Sequence, residues 1–198
     1  MAVSLEDVKK LKELTGVGLS DAKAALEEAK GDFDKALQAM RKKGLTKAEK
    51  KGDREAREGL VEAYVHSGRI GALVEVNCET DFVARTEDFK ELVHDVAMHV
   101  AASNPVYITE ADVPAEVRDS KAKEFKDKVI SEGKPADMAD KIVEGQLKKY
   151  FSEQTLLQQP FIKNPDQTVG DLVKQSIAKL GENIVVRQIS RVELGVSE

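Results

Sequence analysis

Gly59-Leu60-Val61-Glu62-Ala63-Tyr64-Val65-His66-Ser67-Gly68-Arg69-Ile70-Gly71-Ala72-Leu73-Val74-Glu75-Val76-Asn77-Cys78 is where the chain changes its rhythm. Upstream, apolar residues recur every three or four positions, as on one face of a helix. Here they recur every second position, as on one face of a strand. Val61, Ala63 and Val65 alternate with Glu62, Tyr64 and His66. Ser67-Gly68 reads as a two-residue turn, and Ile70, Ala72, Val74, Val76 and Cys78 then share one parity. The segment predicts a β-hairpin of two long strands with Cys78 on the core face.

Working back from the hairpin, residues 45–58 are polar and rich in Lys and Glu, a plausible tether. Residues 1–44 read as three short helices. Ser4 caps the first, whose buried stripe is Leu5, Val8, Leu11 and Leu14, and Thr15-Gly16-Val17-Gly18 breaks it. Ser20 caps a second through Ala29, closed by Gly31. Asp32 caps a third with Phe33, Ala36, Leu37 and Met40 inward, stopped by Gly44. Arg41 to Lys51 holds six basic residues and one acid. A helix C-terminus running into a solvated linker accounts for it better than an RNA-binding patch, because no aromatic is interleaved for base stacking.

Working forward, Thr86 followed by Glu87 and Asp88 starts a helix with the stripe Phe89, Leu92, Val93, Val96 and Val100, ended by Asn104-Pro105. Pro114 and Pro135 open two more helices, over roughly 114–131 and 135–153. A loop rich in Gln, Pro and Asn follows. Thr168 with Asp171 caps a last helix closed by Gly181, and Ile184 to Leu194 reads as a final strand. The expected fold is α+β: a three-helix N-terminal domain (1–44), a linker (45–58), and a core (59–198) with a small antiparallel sheet and flanking helices.

Composition narrows the function. The hydrophobic fraction of 41% suffices for a real core, and no window approaches the ~18 apolar residues of a membrane span. Nothing at Met1 to Asp7 has the pattern of a signal or transit peptide, so a cytoplasmic location is expected. The single cysteine, Cys78, allows neither an internal disulfide nor a cysteine metal cluster. A net charge of −5 speaks against nucleic acid as the main partner. His94 and His99 lie five apart and would not share a face as zinc ligands do. No phosphate loop, nucleophile elbow or HExxH helix is present. The expectation is a protein that is not an enzyme, needs no cofactor or metal, and binds neither nucleotide nor membrane directly.

One connection is unusual. Thr80-Asp81-Phe82-Val83-Ala84-Arg85 places Phe and Val side by side where Gly, Asn, Asp or Ser would normally build a turn. Either Phe82 folds back over the sheet edge or it projects.

Gly71 to Arg85 closely resembles the signature of the translation elongation factor Ts family. Leu11 to Gly18 with Asp21 to Leu26 resembles that family's start, and Lys141 to Gly145 and Leu156 to Lys163 its later motifs. The likeness implies an N-terminal domain similar to ubiquitin-associated modules, a linker and an α+β core. It implies elongation factor Tu as partner and release of that partner's GDP, so that GTP can bind, as the task. It implies that Thr80, Asp81, Phe82 and Val83 form the motif entering the partner near its magnesium and phosphates. It also gives Thr15, Gly16, Val17, Gly18 and Leu19 a docking role. Longer relatives carry a second core subdomain, a coiled-coil insertion and a C-terminal module. This chain has a single hairpin and ends at Glu198, so it resembles the short members, and a homodimer is expected. An adaptor that binds proteins without altering exchange is the rival from another class. A thiol enzyme using Cys78 is a more distant one.

Overall fold

The computed structural model describes residues 3–15, 17–132 and 136–196. Helices α1 (Leu5–Thr15), α2 (Leu19–Glu28) and α3 (Phe33–Glu49) pack around Val8, Leu11, Ala22, Ala25, Leu26, Ala36 and Met40. Asp32 caps α3 by accepting from the Lys35 amide. α2 begins two residues earlier than the sequence suggests: Gly18, not Ser20, occupies its cap position, with no side-chain cap bond.

Gly44 does not stop α3, which continues to Glu49 and places Ala48 in the core of the following unit. A glycine inside a helix costs only ~1 kcal/mol, which packing can offset. Here α3 lies on α8 (Val169–Leu180), and a Cβ at Gly44 would sit 3.4 Å from that of Ala178. The stretch expected as a polar tether is thus helical through Glu49, and Ala56 within it is buried.

The hairpin forms as β1 (Glu58–His66) and β2 (Ile70–Cys78), and β5 (Ile184–Glu193) completes an antiparallel sheet of order β1-β2-β5. The face that β1 turns inward needs correction. A two-residue turn would put Val61, Ala63 and Val65 on the side of Ala72 and Val74. The loop instead has three residues, pairing His66 with Ile70 and Tyr64 with Ala72. A one-residue change of register reverses every side chain. Leu60 and Tyr64 therefore join the core, while Val61 and Val65 face outward beside Leu73 and Val192.

Helix α5 (Glu87–Ser103), capped by Thr86, and α8 cover the inner face of the sheet around Val74, Val76, Phe89, Val93, Val96 and Val100. The connection after β2 is itself a short helix, α4 (Asp81–Ala84). α6 (Ala115–Ser131) and α7 (Ala136–Gln154) form an antiparallel two-helix arm with its own small cluster, Val129, Ala139 and Val143. Pro135, expected to open α7, lies outside the described residues. The two helices expected over roughly 114–131 and 135–153 are thus both present. The Gln- and Pro-rich stretch expected as a loop contains a second, minimal sheet, β3 (Pro160–Phe161) with β4 (Asn164–Thr168). Its Phe161 is buried beside the His99 ring.

Candidate functional site

β2 runs out at Cys78, and the chain must reverse onto the sheet before α5 begins. Two threonines make the reversal. Thr80 is extended and accepts at Oγ1 from the Val83 amide (3.4 Å), capping α4. Thr86 caps α5 by accepting from Phe89 (3.3 Å) and donates its hydroxyl proton to the Val83 carbonyl (2.8 Å). Val83 is held at both its N–H and its C=O. Its side chain packs on the core, and Ala84 is buried. With the third and fourth residues of the turn rooted inward, the first and second must look out. Phe82 is 79% exposed. Asp81, half-buried, pairs with Arg85 one helical turn on (2.8 Å).

A second layer fixes the start of the turn. Glu182, in the connection between α8 and β5, accepts at Oε2 from the amides of Glu79 (3.1 Å) and Thr80 (3.0 Å). Its Oε1 accepts the Thr80 hydroxyl proton at 2.6 Å. In return, Glu79 Oε1 accepts from the Asn183 amide (2.6 Å), and Arg54 lies 3.5 Å from the same oxygen. The buried Asn183 side chain donates to the carbonyls of Arg54 (2.7 Å) and Gly52 (3.3 Å). Sequence reading missed Glu79, Glu182 and Asn183. Glu182 and Thr80 are about a hundred residues apart, and only the pairing of β2 with β5 brings them together.

Cys78 is buried, and its thiol donates to the Thr80 carbonyl (3.2 Å). Burial, reinforced by the Glu182 charge, pushes its pKa up to about 11. Such a thiol is a packing group and a poor nucleophile. Among the described residues, no group of three or more His, Cys, Asp or Glu is placed to hold a metal ion. Nor is any helix among them long and apolar enough to cross a membrane. His94 pairs with Glu62 at the surface (3.0 Å). His99 is fully buried between Gln159 and the Ile162 amide, and burial lowers its pKa.

The second set of sequence-predicted residues forms a separate patch. Thr15 ends α1 and bonds back to the Leu11 carbonyl. Val17 packs on the N-terminal cluster, Gly18 caps α2, and Leu19 is exposed. Gly16 lies outside the described residues. A cleft of about 210 Å³ lies between Leu14 and Thr15 of α1, Asp88 and Leu92 of α5, and Lys179 of α8. The end of α1 therefore sits beside the first turns of α5, the helix that immediately follows the exposed turn.

These features define an α+β scaffold with a three-helix N-terminal unit and a short, doubly capped turn that holds an aromatic side chain in solvent. Residues 5–195 match the family model for elongation factor Ts. The chain is 53% identical over 194 residues to elongation factor Ts of Carboxydothermus hydrogenoformans, spanning 98% of this chain and 89% of that one. It is 53% identical to that of Moorella thermoacetica (98% and 96%). To that of Thermodesulfovibrio yellowstonii it is 48% identical over 198 residues (100% and 99%). The chain belongs to the elongation factor Ts family. Membership supports, in general terms, a part in guanine-nucleotide exchange on elongation factor Tu.

Proposed function

We propose that the protein binds elongation factor Tu in its GDP-bound state and speeds GDP release by setting the Asp81–Phe82 turn against the partner's magnesium and phosphate site. The observation that carries this is the position of Phe82. Folding normally hides an aromatic ring, yet here two threonine caps and a rooted Val83 hold one out in water. Phe82 acts as the wedge and Asp81 as an orienting group. A single carboxylate is a poor substitute for a magnesium ion's full oxygen shell, so Asp81 does not take the metal. The N-terminal unit, akin to ubiquitin-associated modules, docks on the partner's nucleotide-binding domain through Thr15 to Leu19.

Exchange requires a ternary state. Coupling is reciprocal, so GDP must loosen the factor by as much as the factor loosens GDP. The outer sheet face, with Val61, Val65, Leu73 and Val192 side by side, offers a contiguous apolar surface. A second copy of the chain covers it in a symmetric homodimer. The test is release of a fluorescent GDP from elongation factor Tu. Addition of the protein should accelerate it, and the Phe82→Ala protein should do so far less. An adaptor would bind the partner and leave the release rate unchanged.

A further inference from the structure

We infer that Glu182 is a positioning residue for the exposed turn, setting the angle at which Phe82 is presented; this rests on the reading that Phe82 acts on elongation factor Tu. A threonine hydroxyl has one proton and two lone pairs. Left alone, the Thr80 rotor could turn its proton toward the Val83 amide and lose the cap. Glu182 Oε1 takes that proton at 2.6 Å, which leaves a lone pair directed at the Val83 N–H. The same carboxylate takes the two backbone amides that immediately precede the turn, at 3.1 and 3.0 Å. Three donors converge on one anion, and charge-assisted bonds of this kind are shorter and stronger than neutral ones.

Glu182 is itself held. It follows Gly181, whose φ of +82° closes α8 in the left-handed region that favours glycine. Asn183 behind it is buried, and its backbone and side chain tie it to Glu79, Arg54 and Gly52. The exit of β2 and the entry of β5 thus brace each other, and the turn springs from that brace. A wedge on a loose hinge would spend binding energy on ordering itself, and a preorganised one does not.

The experiment compares Glu182→Ala, Glu182→Gln, Thr80→Val, Phe82→Ala and the Glu182→Ala/Phe82→Ala double variant, all as full chains. Fluorescent GDP release from elongation factor Tu is measured at saturating protein, with affinity for nucleotide-free elongation factor Tu measured separately. Glu182→Ala should slow release by about tenfold while affinity changes by no more than about twofold, since rate and docking respond to different contacts. The Gln variant keeps an oxygen for the two amides but turns an NH2, which cannot accept a proton, toward the Thr80 hydroxyl, so its rate should fall between those of the wild type and Glu182→Ala. In the double variant the loss should match Phe82→Ala alone, because there is no longer a ring to position. Amide exchange at Val83 should accelerate in Glu182→Ala while Val93 and Val96 stay protected.

A folded Glu182→Ala protein with wild-type release, or losses that multiply in the double variant, would overturn the inference. If Glu182→Ala does not fold, Thr80→Val removes only the relayed hydroxyl, and wild-type release by that protein overturns it equally. Wild-type release by Phe82→Ala sinks the wedge itself. Slow release by Phe82→Ala beside normal release by Glu182→Ala removes only the positioning role.

Discussion

Phe82→Ala separates two kinds of phenylalanine in one molecule. Phe82 is 79% exposed and Phe89, seven residues on, is 0% exposed. Truncating a core phenylalanine costs about 3–5 kcal/mol. Only about a fifth of that applies to a side chain already four-fifths in water, so Phe82→Ala should destabilise the chain by about 1 kcal/mol or less. For a protein of this size each kcal/mol moves Tm by about 2–4 °C, so the melt should shift by no more than about 4 °C. Phe89→Ala should fall by about 6–20 °C on the same scale. Function should rank the other way. Burying a whole phenylalanine is worth about 1.5–3 kcal/mol, and the part still available for burial against a partner is about 1.2–2.4 kcal/mol. If that energy is realised only while GDP is being displaced, its loss slows release by about eightfold to sixtyfold.

The assay is stopped-flow release of a fluorescent GDP from elongation factor Tu, with melts on the same preparations. Binding to nucleotide-free elongation factor Tu should survive in Phe82→Ala. A Phe82→Ala protein that melts like the wild type and releases GDP at the wild-type rate would refute the reasoning.

Three further outcomes are expected. Light scattering should give a dimer at tens of micromolar, and Leu73→Glu, which places a charge on the outer sheet face, should give a folded monomer; a monomeric wild type with full exchange activity would count against the sheet contact. Removing residues 1–44 severs α3 five residues before its end and strips its packing on α8, so the remainder should melt lower and bind elongation factor Tu far more weakly; undiminished affinity would end the docking role of the N-terminal unit. Burial holds the pKa of His99 below its ordinary value of about 6.5, so on acidification the unfolded chain takes the proton first. That contribution to stability is complete above about pH 6.5 and is lost as the pH falls toward the folded-state pKa, and His99→Gln should flatten the acid limb of the Tm profile.

The alternation from Ile70 to Cys78, the caps at Asp32, Thr86 and Thr168, and the stripe from Phe89 to Val100 were all legible, because each is a local pattern repeated over several residues. The inward face of β1 was not, since it depends on whether the hairpin loop holds two residues or three. Ser67-Gly68 looks the same in either case until Arg69 is placed. The continuation of α3 past Gly44 was hidden for a different reason. A lone glycine signals a helix end unless packing carries the helix through it, and the helix that packs on α3, α8, lies far along the chain. The Thr80–Val83 motif could be found as a sequence oddity, but nothing local to it names the groups that hold it.

That last gap has a physical meaning. A turn that projects an aromatic ring buries little of its own surface, so it cannot be stabilised by what it presents. Val83 and Ala84 anchor its far end in the core, but its start is held by polar groups, and the entry to β5, which pairs with β2 there, supplies them. β5 enters the sheet opposite Cys78 at Ile184, and the two residues before it are Glu182 and Asn183. Their contacts reach back to Glu79 and Thr80 on one side and to Gly52 and Arg54 on the other. One brace therefore joins the exposed turn to the segment that leads out of α3. The exposed turn and the segment that leads out of α3 are thus tied to the same two residues, Glu182 and Asn183.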